Sequence, residues 1–346
     1  MPPECTPLVV GVPGPGLNSD EIRTLSYVKP CGVVLFQRNI ETVKQARALV
    51  SELRELEPRP FVAVDLEGGA VNRLRPIWGE LPSAAAAAAT GRRAVRAVGE
   101  AAGAACRRLG IHLDLAPVVD LHRPNGMLAH QERCLAADPH RVTALARVFS
   151  EGLAAWGVSG CIKHFPGLGE IPVDTHDELP TLRMSQAELA AHLAVFDALT
   201  ATVPLVMIGH VIVPALGEAE LPASLSPTIL QRARELPGSP VCLSDDLEMG
   251  ALANSGDLPE RVEAALLARN HGALVCSAFD RLEEIAARLA ERTAVESSAG
   301  IRILEMAARM DALRRSLLSN AAAIPAPDDA TVEQLWERAR VASSMR

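Results

Sequence analysis

Eight short apolar runs, rich in β-branched residues, recur along the 346-residue chain, and most of them stop at a glycine, a proline or a polar residue. They are "LVVGV" (8–12), "GVVLF" (32–36), "FVAVD" (61–65), "LDLAPV" (113–118), "GCIKH" (160–164), "PLVMIGH" (204–210), "PVCLSD" (240–245) and "GALVC" (272–276). Helical patterns fill most of the intervals. "ETVKQARALVSELREL" spaces its apolar residues at helical period with charges on the other face. A helix is expected from Ser83, an N-cap, to Gly110, a C-terminal stop. Another begins at the capping-box pattern Ser185-x-x-Glu188. The alanine run 84–89 belongs to the first of these helices rather than to a disordered tract.

Strands that are apolar on both faces and alternate with helices imply a parallel sheet. Eight of them is the count of a (β/α)8 barrel. The expected fold class is therefore α/β, a single (β/α)8 TIM-type barrel with a C-terminal helical extension. A doubly wound sheet would absorb the same elements, but no GxGxxG turn follows the first run. "GVPGPG" (11–16) carries prolines that spoil a phosphate cradle and reads as a turn. The barrel is expected over residues 1–315. Residues 316–346 are read as a linker, with the Pro/Ala stretch "SNAAAIPAPDDAT" (319–331), and a final amphipathic helix, "VEQLWERARVA", packing on the barrel.

Composition narrows the partners. With 49% hydrophobic but only 3% aromatic residues, aliphatic side chains must build the core. A net charge of −8, without a basic block or stripe, argues against nucleic acid. No apolar stretch approaches the ~18 residues of a membrane span, and "MPPECTPLVVGVPG" has no signal-peptide pattern. Cysteines 5, 31, 106, 134, 161, 242 and 276 form an odd, scattered set without CxxC, which points to reduced thiols rather than a disulfide framework. A soluble, cytoplasmic protein with no membrane partner is the expectation.

Chemistry-bearing residues collect at one end of these runs: Asp65 after the third, Lys163-His164 after the fifth, His210 after the sixth and Asp245-Asp246 after the seventh. In a barrel that end carries the active site. Beyond the fifth run, "KHFPGLGEIPVDTH" (163–176) adds Asp174-Thr175-His176 on a Gly- and Pro-rich loop. A carboxylate bonded to one imidazole nitrogen fixes the tautomer and makes the other nitrogen more basic. The plainer alternative is an Asx-type turn beside a solvated histidine. Zinc on His164, His176, His210 and an aspartate is a third possibility, but the H-x-H of barrel metallohydrolases is missing after the first run. No metal and no cofactor is expected. Adjacent strand residues point to opposite faces, so one of Asp245 and Asp246 is expected to face a ligand. Glu67, before two glycines, is assigned a structural part.

Four motifs in this order resemble a known family: "VDLEGGAVNRLR" (64–75), "APVVDL" (116–121) followed by "ERCLAADP" (132–139), "KHFPGLGEIPVDTH" and "SDDLEMGA" (244–251). From about residue 32 to residue 251 the chain resembles glycoside hydrolase family 3, in its single-domain β-N-acetylhexosaminidase type of cell-wall recycling. The resemblance implies a retaining exo-β-N-acetylglucosaminidase that releases terminal GlcNAc from muropeptide fragments. It implies Asp245 as nucleophile, His176 as general acid/base and Asp174 as its orienting partner. Asp65, Arg73, Arg133, Lys163 and His164 match residues that hold the GlcNAc unit, and the 166–176 loop matches a mobile segment that carries the acid over the sugar. Leu168, Leu66 and Ala70 depart from the family pattern, as do "RCL" for "RSF" and the missing acidic residue in "GALVC". Competing readings are a β-glycosidase for another sugar, a GlcNAc phosphorylase (a neutral imidazole repels phosphate less than a glutamate does) and a sugar-binding barrel with reduced turnover.

Overall fold

The computed structural model describes residues 3–169, 171–172, 178–295 and 297–344. Each of the eight apolar runs supplies a stave of one parallel barrel. The strands are β1 Thr6–Gly11, β2 Pro30–Leu35, β3 Phe61–Val64, β4 Leu66–Gly68, β5 Val71–Asn72, β6 Leu113–Asp114, β7 Ser159–Gly160, β8 Ile162–Phe165, β9 Leu205–Ile208, β10 Val241–Asp246 and β11 Gly272–Val275. β4 and β5 form a separate antiparallel hairpin; the other nine run β7-β6-β3-β2-β1-β11-β10-β9-β8. β7 and β8 are consecutive parts of one stave around Cys161, the first paired with β6 and the second with β9. The two ends of the sheet therefore meet in a single chain segment. The parallel bridge Val118↔Lys163, with Val119 N donating to Lys163 O at 2.8 Å, completes the closure.

Alternation along each strand explains why both faces read as apolar. Leu8 and Val10 point outward into the layer shared with the helices, whereas Val9 joins Val34, Ala63, Leu113, Met207, Leu243 and Leu274 inside the barrel. Gly32 makes room there for Phe61, whose ring would lie 2.4 Å from a Cβ at residue 32. The interior continues into Met310, Leu313 and Leu317 of the helix Ser298–Ala322, so this helix plugs the end where the strands begin.

Local expectations meet the structure in detail. Ser83 caps the helix Ala84–Thr90 through a 3.1 Å bond from Ala86 N, and Ser185 with Glu188 forms the capping box of Gln186–Leu199. The single helix expected up to Gly110 is instead two, because Gly91 adopts φ +114 between Thr90 and Arg92–Leu109. Helix Ser298–Ala322 takes in residues 319–322 of the expected connector and ends ahead of Pro325, where the ring disfavours helical backbone in the preceding residue.

The expectation of seven reduced thiols does not hold. Cys5 and Cys31 form a disulfide with their Cα atoms 5.3 Å apart. β1 and β2 start side by side, with Thr6 opposite Pro30, and this brings together two cysteines that are 26 positions apart in sequence. No helix among the described residues is long and apolar enough to cross a membrane.

The last helix, Asp329–Ser344, packs on the helices Ala84–Thr90 and Arg92–Leu109. Its Trp336 is buried, lies 5.8 Å from the ring of Trp78 and donates Nε1–H to Glu80 O at 2.9 Å. Trp336→Ala is expected to lower stability by about 3–5 kcal/mol, read as a shift in the chemical-denaturation midpoint. A change below about 1 kcal/mol would show that this helix is peripheral to the fold.

Candidate active site

A cavity of about 300 Å³ opens where the strands end. Among the residues lining it are Asp65, Glu67, Arg73, Arg133, Lys163, His164, Asp245 and Asp246, with Phe36 and an apolar group of Met127, Leu128, Leu168, Ile171 and Met249. The five residues expected to hold the sugar, Asp65, Arg73, Arg133, Lys163 and His164, thus share one pocket with Asp245. Asp174 and His176 lie outside the described residues.

The charges in this pocket are tied to one another. Lys163, on β8, sends its ammonium to Asp65 Oδ1 at 2.7 Å and to Glu67 Oε1 at 2.6 Å. Arg133 grips Glu67 with two parallel bonds of 2.8 Å, from Nε and Nη2, and its Nη1 reaches Gln131 Oε1 at 3.3 Å. Glu67 sits on the hairpin that follows β3, where Gly68 and Gly69 take φ +90 and +58. A Cβ at Gly68 would lie 2.1 Å from Pro82 O, so the turn that presents Glu67 needs glycine. Burial by itself disfavours the charged carboxylate, but the Lys163 and Arg133 cations hold Glu67 well below the ordinary range. The same balance raises Lys163 and Arg133: burial opposes their charge, and Asp65 with Glu67 for the lysine, Glu67 foremost for the arginine, outweighs it. An ammonium has three donors, so Lys163 keeps one for a ligand. Arg73 approaches Asp65 Oδ2 only to 4.0 Å and lies over the Phe36 ring at 5.6 Å.

His164 is oriented from behind. Its Nδ1 is 2.8 Å from Asp120 Oδ2, which also accepts the His164 backbone N–H at 3.1 Å, while Oδ1 accepts from Leu168 N. Burial works against ionisation of Asp120, yet the imidazole and the Leu168 N–H keep its pKa below the ordinary value. An ionised Asp120 places the proton on Nδ1 and leaves Nε2 for a ligand.

At the end of β10 the expected alternation fails, and Asp245 and Asp246 both line the cavity. β10 pairs Leu243 with Gly272 but Asp246 with Leu274, so it carries one extra residue there. His210 supports this bulge, with Nε2 donating to Asp246 O at 2.8 Å and Nδ1 at 2.6 Å from Ser224 Oγ. The two carboxyls titrate apart. Burial opposes the charge on Asp245, but His164, His210, the Asp246 N–H at 2.9 Å and Lys163 bring its pKa below the ordinary value. Burial and the neighbouring Glu248 push Asp246 up to about 7. One dipeptide therefore presents a carboxylate and, up to neutral pH, a carboxylic acid.

A family model described as glycosyl hydrolase family 3 N terminal domain matches residues 11–306. The chain belongs to glycoside hydrolase family 3. The β-hexosaminidase of Methylococcus capsulatus is 35% identical over 317 residues, which cover 89% of this chain and 93% of that protein. The β-hexosaminidase of Stenotrophomonas maltophilia is 36% identical over 281 residues, 78% of this chain and 83% of that one. NagZ from Neisseria gonorrhoeae, solved in complex with N-trifluoroacetyl-D-glucosamine, is similar with a TM-score of 0.79 and 26% identity, covering 99% of this chain and 98% of that chain.

Two members of this family 3 site escaped the sequence reading. Glu67 lines the pocket and joins Lys163 to Arg133, beyond the turn-forming part assigned to it. Asp120 orients His164; its signal was a carboxylate directly after the apolar "APVV", in a motif valued only for its order. Leu168, a departure from the family pattern, adds to the apolar side of the pocket with Ile171.

Because Glu67 titrates lower in the folded chain, its ionisation adds stability that is complete above about pH 4.5 and is lost as the pH falls below that value. Glu67→Gln is expected to cost about 3–5 kcal/mol at neutral pH, with the deficit shrinking under acid denaturation. Parent-like stability at neutral pH would contradict the joining role. For Asp246, carboxyl NMR should resolve one aspartate titrating at about 7 that disappears in Asp246→Asn. Titration near 3.8, the ordinary value, would refute the burial argument.

Proposed function

We propose that the chain is a retaining exo-β-N-acetylglucosaminidase that removes terminal GlcNAc from peptidoglycan-derived muropeptides. The observation that carries this reading is Asp245: a half-buried carboxylate kept ionised at a pocket whose other walls hold paired cations and carboxylates. A nucleophile must be anionic at working pH, and this environment favours the anion although the residue is partly withdrawn from water. The cavity, at about 300 Å³, is at the small end of ligand sites and suits one sugar ring, which favours exo action over cleavage within a chain. The similarity to β-hexosaminidases and the amino-sugar analogue bound to NagZ support the choice of sugar.

In this mechanism the GlcNAc hydroxyls and acetamide bond to Asp65, Arg73, Arg133, Lys163 and Nε2 of His164. Asp245 attacks the anomeric carbon as His176, oriented by Asp174, protonates the departing glycosidic oxygen. An ester between the sugar and Asp245 results. His176 then takes a proton from water, whose oxygen attacks the same carbon and releases Asp245 as a carboxylate. The charged groups around the sugar are already paired, so little reorganisation accompanies the rise of positive charge on the ring. The muropeptide donor rests on the resemblance of the motifs to the cell-wall recycling type. A cytoplasmic, monomeric enzyme is proposed with it.

Hydrolysis of a chromogenic GlcNAc β-glycoside tests the reading. The parent should turn over, and Asp245→Ala should lose on the order of 10⁴-fold or more in kcat. His176→Ala should be impaired most with poor leaving groups, which need the proton, and least with activated ones. No turnover by the parent would favour a sugar-binding barrel, and unchanged turnover by Asp245→Ala would remove the assigned nucleophile.

A further inference from the structure

At the opposite end of the barrel, where the strands begin, a second cavity of about 520 Å³ is lined by Arg234, Arg269, Arg309 and His271, with Glu235 and Glu305 on its walls. Arg234 ends the helix Pro227–Arg234, Arg309 lies on the plugging helix, and Arg269 and His271 precede β11. Among the described residues, no carboxylate lies within ion-pair distance of any of these arginines. Glu235 is drawn aside by Gln231, whose Nε2 lies 2.5 Å from its Oε1.

Several observations mark this cluster as incomplete. Arg234 Nη1 is buried away from the cavity and has no hydrogen-bond partner, so the protein leaves this guanidinium only partly satisfied. Burial and the positive charges of Arg269 and Arg309 depress the Arg234 guanidinium, so the three cations repel one another across the space. His271 accepts Cys242 N at Nδ1 at 2.9 Å, and burial together with Arg234 and Arg309 lowers its pKa to about 3. It therefore stays neutral, with its proton on Nε2. Arg269 holds a left-handed backbone, φ +85, one position after Ala268 closes the helix Leu258–Leu267. That position ordinarily goes to glycine, yet here it sets a third guanidinium on the cavity wall. Arg309 is anchored by its bond to Ser239 O at 2.8 Å.

We propose that this cavity is an anion site for the phosphate group of a small phosphorylated molecule. Three guanidinium groups converging from different elements suit a tetrahedral oxyanion, which accepts hydrogen bonds in several directions, better than a planar carboxylate, which one arginine fork can satisfy. Three arginines against two glutamates leave a local excess of one positive charge, and the ligand's dianion both uses it and screens the arginines from each other. The volume exceeds that of a bare ion and leaves room for the body of a phosphate monoester.

Calorimetric titration of the full chain tests the site, with inorganic phosphate and glycerol 3-phosphate as probes and acetate as the carboxylate comparison. Saturable one-to-one binding of both phosphates, with acetate at least about tenfold weaker, is expected. Arg234→Ala and the exposed-site variant Arg309→Gln should each weaken phosphate binding at least about tenfold, while hydrolysis of the GlcNAc β-glycoside stays as in the parent. The absence of binding by the parent, or parent-like affinity in both variants, overturns the proposal; the latter would place the ion among Lys163 and Arg133 instead. Should Arg234→Ala fail to fold, Arg309→Gln decides alone, and crystals of the parent soaked in phosphate must show the ion between Arg234 and Arg309.

Discussion

The buried Glu67 carboxylate, shared by Lys163 and Arg133, is the interaction on which the catalytic face depends. Each ion costs several kcal/mol to remove from water. Asp65, Glu67, Lys163 and Arg133 together carry no net charge, and each finds its partners at 2.6–2.8 Å. A neutral, mutually paired set can be buried where a lone ion cannot. The set also ties distant parts of the chain to one another: the hairpin after β3, the segment before the helix Pro139–Ala154, and the stave that closes the barrel.

That closing stave sets the rest of the geometry. β7 and β8 hand the sheet from one edge to the other, so Lys163 sits where two neighbouring strands are brought into register. His164 follows it and is locked by Asp120. On the other side of the pocket the extra residue in β10 turns both carboxyls of the Asp245-Asp246 pair toward the cavity. Their environments then separate them into an anion and an acid.

The barrel was legible in the sequence because its cause is local. Strands covered on both faces must be apolar throughout, and each of the eight runs became a stave. Polar residues at the run ends were legible for a related reason: "FVAVD", "GCIKH" and "PVCLSD" each turn polar within or just beyond the last residues of a stave, where the side chains line the cavity. Features that depend on pairing across the fold were not legible. The bulge at Asp246 is a mismatch between two strands and leaves no mark in either one. The Cys5–Cys31 bond follows from β1 and β2 lying side by side, which a count of seven cysteines does not register. Glu67 looked like part of a turn because its partners are 66 and 96 positions away. Net charge says nothing of placement: a total of −8 does not register the arginines that the fold collects at one end of the barrel.

A crystal structure of the chain with GlcNAc bound is the decisive experiment. One sugar ring is expected within hydrogen-bond reach of Lys163, Arg133 and Asp65, with the Asp245 carboxylate beneath its anomeric carbon and the Glu67 pairings intact. A ring bound elsewhere, or one whose anomeric carbon lies beyond the reach of Asp245, would contradict it.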